Sequence, residues 1–96
     1  MNGYEFEWDA AKAGSNLVKH GVSFEAAQSV FNDMFAYERL DFDNAPGEIR
    51  YVITGGVNGA ILTVVSTERA YRIRIILARR ATKYEREEYY RSQTAQ

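Results

Sequence analysis

A chain of 96 residues in which 46% of the side chains are hydrophobic and 14% aromatic has room for one folded domain, which excludes a disordered chain and a multidomain protein. It has no cysteine, no signal-peptide pattern at its start and no apolar stretch of membrane-spanning length, so we expect a single domain over residues 1–96 in the cytoplasm. The net charge of −1 excludes a uniformly basic or acidic protein, although the charges are unevenly distributed along the chain.

Two helices are predicted at the start of the chain. Asp9 is a typical N-cap for a helix over residues 10–20, and Gly21 is a typical C-terminal stop after it. Ser23 is a typical cap for a second helix over residues 24–33, in which apolar residues recur at helical spacing.

The apolar period then changes to two, which predicts four short strands over residues 35–41, 50–54, 61–66 and 71–77. Turn residues separate them: residues 43–47 are one turn, and Asn58-Gly59 is the strongest hairpin signal in the chain. Because every connection between strands is short, we expect an antiparallel sheet, with the helices packed on one face and the other face at least partly open.

A capping box, Thr82 to Glu85, opens a last helix over residues 83–92. The predicted fold is therefore α+β, with two N-terminal helices, a four-stranded antiparallel sheet and a C-terminal helix.

Several kinds of functional site are excluded by the residue types present. One histidine and no cysteine do not supply a zinc site, and residues 41–47 resemble a calcium loop but have Ala45 and Pro46 at positions that need a ligand and a glycine. The glycines of residues 55–59 lie between two strands, whereas a phosphate-binding loop precedes a helix. We expect neither a metal nor a cofactor.

The basic residues are concentrated in the C-terminal half. Residues 1–48 carry three basic and nine acidic side chains, whereas residues 49–96 carry nine basic and four acidic ones. Between residues 69 and 83 there are six basic side chains and no acidic one: Arg69, Arg72, Arg74, Arg79, Arg80 and Lys83. Guanidinium groups match phosphate oxygens in pairs, so this segment predicts a phosphate-binding surface; the alternative is an ordinary solvated edge of a sheet.

Strand alternation predicts where these arginines point. Within residues 71–77, Ile73, Ile75 and Leu77 would face the core while Arg72 and Arg74 face outward. Since Arg69 precedes this strand and Arg79 and Arg80 follow it, we expect these groups to bracket a phosphate from two sides.

RNA cleavage without a metal ion requires few groups beyond such a phosphate-binding site. The ribose 2′-OH attacks its own phosphate, so the protein must hold the geometry, stabilise negative charge and move protons. His20, the only imidazole, and Glu68 are the candidates for proton transfer. Non-catalytic roles remain open for several of these residues. They are a helix C-terminal charge for His20, packing for Trp8, a turn residue paired to Arg69 for Glu68, a solvated strand face for Arg72 and Arg74, and positioning or partner contacts for Arg79 and Arg80.

Two long motifs resemble the BrnT family of toxins. The first comprises Phe6-Glu7-Trp8-Asp9, Lys12, Asn16-Leu17 and the run from Lys19 to Ala27. The second comprises Thr67-Glu68-Arg69, the run from Arg72 to Ile76, the run from Ala78 to Thr82, Glu85-Arg86 and Tyr89. The segment with Gly47-Glu48 and Arg50-Tyr51 also fits. The similarity extends over roughly residues 5–90, and one departure is Leu77, where many relatives have a small or polar residue.

The resemblance implies a fold similar to the RelE group and a ribonuclease that arrests translation. It also implies a hetero-oligomer with a BrnA-type antitoxin, which binds DNA and covers the toxin. The expected catalytic residues are His20, Glu68, Arg69, Arg79 and Arg80, and the expected RNA-binding residues are Trp8, Lys19, Arg72, Arg74 and Lys83. Two alternatives remain: a module that binds RNA, DNA or antitoxin without cutting, and a degenerate toxin that folds but is inactive.

Overall fold

The computed structural model describes residues 4–42 and 47–94 and has α+β architecture, as predicted. The elements are, in chain order, β1 (Phe6–Glu7), α1 (Ala10–His20), α2 (Phe24–Gln28), a 3-10 turn (Ser29–Asn32), β2 (Tyr37–Asp41), β3 (Arg50–Val57), β4 (Ala60–Arg69), β5 (Arg72–Arg80) and α3 (Lys83–Thr94). The turn predicted over residues 43–47 lies mostly outside the described residues, and so does most of the segment 41–47 that resembles a calcium loop.

The predicted bounds of the first helix are confirmed by its caps. The Asp9 carboxylate accepts a hydrogen bond from the backbone N–H of Lys12 at 2.9 Å, and Gly21 adopts φ +69° while its N–H donates to the carbonyl of Leu17. The second helix starts at Phe24 as predicted, with Ser23 as its cap, but it tightens into the 3-10 turn after Gln28.

The sheet has five strands in the order β1-β5-β4-β3-β2, so the prediction of four strands was wrong. The additional strand is β1, which pairs parallel to β5 through Phe6 opposite Ile73 and Glu7 opposite Arg74. A strand of two residues is too short to show any alternation, which is why the sequence pattern did not reveal it. The other three pairings are antiparallel, as expected.

Helices cover both faces of the sheet, which corrects the expectation of one covered face. On the core face, α1 and α2 pack against a buried cluster that contains Phe24, Val30, Val64 and Ile75. On the opposite face, α3 sits over one end of the sheet. Two successive glycines of β3 allow close packing on the two faces of the sheet. A Cβ on Gly55 would lie 3.0 Å from Val30 on the core face, and one on Gly56 would lie 3.1 Å from the Tyr89 hydroxyl of α3 on the opposite face.

A β-bulge in β5 decides which arginines share a face. Val65 is opposite Leu77 and Ser66 is opposite Ile75, so Ile76 is an extra residue in β5. The bulge reverses the alternation after Ile75, and Leu77 therefore lies outside the core cluster, although alternation predicted it to join Ile73 and Ile75 there. Beyond the bulge, Ala78 is in the core cluster, so Arg79 lies on the same face as Arg72 and Arg74, and Arg80 lies on the core face.

Candidate nucleic-acid interface

Six of the nine arginines in the chain project from the face of the sheet that α3 partly covers. Side chains directly opposite one another in neighbouring strands share a face. The register places Arg50 opposite Thr67 and Thr67 opposite Arg74, so Arg50 and Arg74 share a face. By the same pairing across four strands, all six of these arginines lie on that face. We call this surface the arginine face; its arginines are Arg39, Arg50, Arg69, Arg72, Arg74 and Arg79.

Five of these six arginines form ion pairs, so the face is less basic than its composition indicates. Within the described residues Arg69 alone among the six has no carboxylate partner. Strand β1 and the residue before it bring acidic groups of the N-terminal half beside β5, where Glu7 contacts Arg74 at 3.0 Å and Arg72 at 3.7 Å. The charge asymmetry of the sequence is therefore partly neutralised within the sheet.

One part of the arginine face is a hydrogen-bonded polar cluster around Glu85 at the start of α3. This buried carboxylate accepts hydrogen bonds from both terminal nitrogens of Arg79, at 2.8 and 3.0 Å, from the hydroxyl of Thr63 at 3.0 Å and from the backbone N–H of Thr82 at 2.8 Å. Arg39 approaches the same carboxylate at 3.4 Å. Burial opposes ionisation of Glu85, but these hydrogen bonds outweigh it and lower the pKa of Glu85 to about 2, while the paired carboxylate raises the pKa of Arg79.

From the sequence, Glu85 is the last residue of a capping box and part of the second family motif. The structure confirms the capping role, because the backbone N–H of Glu85 donates to the Thr82 hydroxyl at 3.1 Å. Its second role, as the partner of Arg79, depends on the bulge at Ile76. Without that extra residue Arg80, and not Arg79, would share a face with Glu85.

A second polar cluster holds the far part of α3 against β3. The Asp33 carboxylate accepts hydrogen bonds from the Tyr89 hydroxyl and from the backbone N–H of Gly56, the latter at 2.7 Å. Burial and the adjoining Asp33 carboxylate raise the pKa of Tyr89 to about 12. Burial tends to raise the pKa of Asp33, and its hydrogen bonds lower it further than burial raises it.

His20 and Arg80 lie at the same end of the sheet, on the core face. The buried Asn16 side chain fixes this arrangement, because its amide donates to the Ala78 carbonyl at 2.8 Å and accepts from the Ala78 N–H at 3.2 Å. Helix α1 and β5 run in the same direction, since Glu7 is opposite Arg74 and Asn16 contacts Ala78. His20 is one helical turn beyond Asn16, and Arg80 is two strand residues beyond Ala78. Each therefore lies about 6 Å beyond the contact between Asn16 and Ala78, in the direction of β5.

The other predicted residues of this end have differing surroundings. Lys19 is exposed at the last turn of α1, and Lys83 is exposed as the first residue of α3. Trp8 is half-buried and packs edge-to-face on Phe24, with ring centroids 5.9 Å apart, which fits the packing role that was left open for it.

Glu68 and Arg69 lie at the opposite end of β5 from Arg79 and Arg80. Glu68 is opposite Ile73, seven strand residues before Arg80, which separates the two ends by about 20 Å. Arg69 is therefore too far from Arg79 and Arg80 to bind the same phosphate, which corrects the arrangement that the sequence suggested. The two candidates for proton transfer, His20 and Glu68, also lie at different ends of the sheet.

Glu68 lies instead on a groove of about 360 Å³ on the core face. Its wall includes the aromatic rings of Tyr4, Phe31 and Tyr51 and a second carboxylate, Glu38. Burial and the facing carboxylate of Glu68 raise the pKa of Glu38. No ion pair joins Glu68 to Arg69 in the part of the chain that the structure describes.

The described residues lack two other features, a metal-binding cluster and a membrane-spanning helix. Residues 4–42 and 47–94 contain no group of three histidine, cysteine, aspartate or glutamate side chains that could hold a metal ion. None of the helices within those residues is long and apolar enough to cross a membrane.

Comparison with known proteins identifies one family. A family model described as "Ribonuclease toxin, BrnT, of type II toxin-antitoxin system" matches residues 8–85, which extend from Trp8 to the carboxylate that binds Arg79. A search of the curated proteins found no match.

Proposed function

Because the chain belongs to the BrnT family of ribonuclease toxins of type II toxin–antitoxin systems, we propose that it is an endoribonuclease that cuts RNA without a metal ion and so arrests translation in the cytoplasm. The observation that carries the proposal is the position of the arginine face, which leads along β5 to the end where Arg80 and His20 lie. Phosphodiester cleavage needs cationic groups that bind the backbone and a side chain that transfers a proton, and Arg80 and His20 lie at the end of β5 where the arginine face stops, on the core face of the sheet.

The RNA backbone binds across the arginine face. Arginine side chains from four strands present guanidinium groups to one side, and phosphate oxygens compete for those groups with the exposed carboxylates of the chain itself. Such binding is independent of sequence and weakens as salt rises. The binding residues at the turn between β4 and β5 are Arg69, the last residue of β4, with Arg72 and Arg74 of β5. Lys83 extends the cationic surface beyond the other end of β5.

Cleavage takes place at the Arg80 end. The 2′-OH of one ribose attacks the adjoining phosphorus, the bond to the 5′-oxygen of the next nucleotide breaks, and the products are a 2′,3′-cyclic phosphate and a 5′-hydroxyl. Arg80 stabilises the additional negative charge on the phosphoryl oxygens, and His20 accepts the 2′-OH proton or protonates the leaving oxygen. Lys19, next to His20, contributes a further positive charge.

Arg79 is a positioning residue in this scheme. Both of its terminal nitrogens are bound to Glu85, so it has little capacity left for a phosphate. It fixes the end of β5 against α3 and thereby orients the adjoining Arg80.

A BrnA-type antitoxin, a DNA-binding protein that represses the shared operon, neutralises the toxin in a hetero-oligomer. In this proposal an acidic segment of the antitoxin covers the arginine face, because the same charges that bind RNA would bind carboxylates.

The test is cleavage of single-stranded RNA by the purified protein in EDTA, with analysis of product ends. We expect 2′,3′-cyclic phosphate ends from the wild type, and a loss of at least a hundredfold in rate for Arg80→Ala and for His20→Gln. Arg91→Ala, on the exposed far end of α3, is the matched control and should cut normally. Cleavage that EDTA abolishes would contradict the metal-free mechanism.

A second candidate function is binding without cleavage. It is favoured by one observation: His20 lies on the core face, whereas the arginine face is on the other side of the sheet. In that case the protein would shift the electrophoretic mobility of RNA in a salt-dependent manner and leave the RNA intact. Expression of the protein would not stop bacterial growth.

A further inference from the structure

The hairpin that joins β4 to β5 has an unusual turn. Its two central residues, Ala70 and Tyr71, have φ angles of +49° and +70°. The hairpin that joins β3 to β4 has the same two-residue form, with φ angles of +49° and +85°, but there the residues are Asn58 and Gly59. Asn-Gly is the preferred sequence for such a turn, whereas Ala-Tyr places two side chains in the left-handed region that they disfavour.

Within residues 4–42 and 47–94, no side-chain packing offsets the unfavourable conformation of Tyr71. The residue is 104% exposed, so its ring buries no surface against that part of the chain. Outliers of this kind are retained where they serve a ligand or a partner.

The turn is also flanked by like charges. Arg69 and Arg72 are directly opposite one another at the end of the hairpin, an arrangement that is unfavourable unless an anion lies between them. Arg72 has only long contacts, to Glu5 at 3.6 Å and Glu7 at 3.7 Å, and within the described residues Arg69 has no carboxylate partner. Both arginines belong to the arginine face, so the turn stands at one end of the surface that ends at Arg79.

We propose that the tip of the β4–β5 hairpin is a base-stacking site for single-stranded RNA, in which the Tyr71 ring stacks on one base and Arg69 and Arg72 bind the phosphates beside it. The inference rests on the proposed function, since it requires that the chain bind RNA. Stacking on an exposed ring flanked by arginines accepts any base, because every base has an aromatic face. The site lies about 26 Å from Arg80, so the stacked base is several nucleotides away from the cut and holds the strand in register.

The experiment uses a 2′-O-methyl oligoribonucleotide that contains 2-aminopurine, which the proposed reaction cannot cut because it has no free 2′-OH. Stacking quenches the fluorescence of 2-aminopurine. We expect wild-type protein to bind and quench this probe, Tyr71→Ala to bind about tenfold more weakly without quenching, and Tyr71→Phe to behave as wild type. Tyr84→Ala, which removes an exposed tyrosine from α3, is the matched control and should leave quenching unchanged.

A second variant separates the turn's role in binding from its role in folding. The pair Ala70→Asn and Tyr71→Gly copies the Asn58-Gly59 turn of the same protein and relieves the unfavourable φ angles. We expect this variant to melt at a higher temperature than wild type and yet to bind the probe as weakly as Tyr71→Ala.

The outcomes distinguish the two proposals. If wild type and Tyr71→Ala bind and quench equally, RNA binding stands and the stacking site is overturned. If wild type does not bind the probe at any salt concentration, both the stacking site and RNA binding across the arginine face are overturned.

Discussion

Arg79 and Glu85 form a two-pronged ion pair, with hydrogen bonds of 2.8 and 3.0 Å from the two guanidinium nitrogens to the two carboxylate oxygens. Glu85 is only 4% exposed, and the pair joins the last residues of β5 to the first turn of α3. A buried carboxylate that loses its main cation is costly, because the remaining cation, Arg39 at 3.4 Å, is more than half exposed and makes a longer contact. The pair therefore makes Arg79 important for stability before any role in RNA cleavage is considered.

Replacement of Arg79 should destabilise the fold. We expect Arg79→Met to lower the free energy of unfolding by about 3 kcal/mol, because it leaves the Glu85 carboxylate buried without its main partner. The measurement is urea unfolding at pH 7. Arg80→Ala, next in the chain but exposed and on the other face, should change the free energy by no more than about 0.5 kcal/mol.

The double variant Arg79→Met, Glu85→Met tests whether the unpaired Glu85 carboxylate causes the loss of stability in Arg79→Met. Since it removes the buried charge together with its partner, it should be more stable than Arg79→Met alone. If the double variant were the less stable of the two, the isolated carboxylate would not be the source of the loss.

The stability of the protein should fall in acid through Glu85. Its pKa is about 2 in the folded protein against an ordinary value of 4.5, so the folded state favours the ionised form. This contribution is complete above about pH 5 and is lost as the pH falls toward 2. We expect the difference in unfolding free energy between wild type and Glu85→Gln to be about 3 kcal/mol at pH 7 and about half that at pH 3.

A difference between wild type and Glu85→Gln that stayed constant from pH 7 to pH 3 would contradict this assignment. Comparison of the two proteins at each pH is needed because other carboxylates also titrate in this range, and their contributions cancel in the difference.

Asn16 should be needed to hold α1 on the sheet. Its buried side chain makes three hydrogen bonds, two to the backbone of Ala78 and one to the carbonyl of Val22 at 2.9 Å. We expect Asn16→Ala to cost about 3 kcal/mol, because it leaves buried backbone groups without partners, and to slow RNA cleavage by displacing His20. Ser15→Ala, on the exposed side of the same helix, is the control, and urea unfolding with cleavage assays on both variants would show the difference.

The sequence predicted the elements whose signals are local. The cap at Asp9, the glycine stop at Gly21 and the Asn58-Gly59 hairpin each depend on a few adjoining residues, and each lies where it was predicted. Part of the candidate interface was predictable for the same reason, since Arg69, Arg72, Arg74 and Arg79 are close together in the sequence. Arg39 and Arg50 were not predicted, because only the strand register brings them to the same face.

The arrangement of the site was not predictable, because it depends on register. The extra residue at Ile76 moves Arg79 to the arginine face and Arg80 to the core face, and nothing in a run of isoleucine and leucine marks a bulge. Strand β1 was missed since two residues carry no period, and with it the pairing of Glu7 to Arg74. Long-range hydrogen bonds such as that between Asn16 and Ala78 leave no local signal at all.

The contact between Tyr89 and Asp33 should hold the second half of α3 in place. The Tyr89 hydroxyl donates to a carboxylate that also accepts from Gly56, so it joins α3, β3 and the residue after the 3-10 turn. We expect Tyr89→Phe to lower the free energy of unfolding by about 2 kcal/mol, since hydrogen bonds to charged groups are worth more than neutral ones. Tyr90→Phe, on the next residue with an exposed ring, is the matched control and should be neutral.

The same contact predicts a response to alkali. Tyr89 has a folded pKa of about 12 against an ordinary value of 10, so its contribution is complete below pH 10 and is lost as the pH rises toward 12. Urea unfolding of wild type and Tyr89→Phe at pH 8 and pH 11 tests this directly, because the difference between them should shrink at the higher pH. A difference that is equal at both values would mean that the hydroxyl does not donate to Asp33, and that α3 is held by packing and the Glu85 cluster alone.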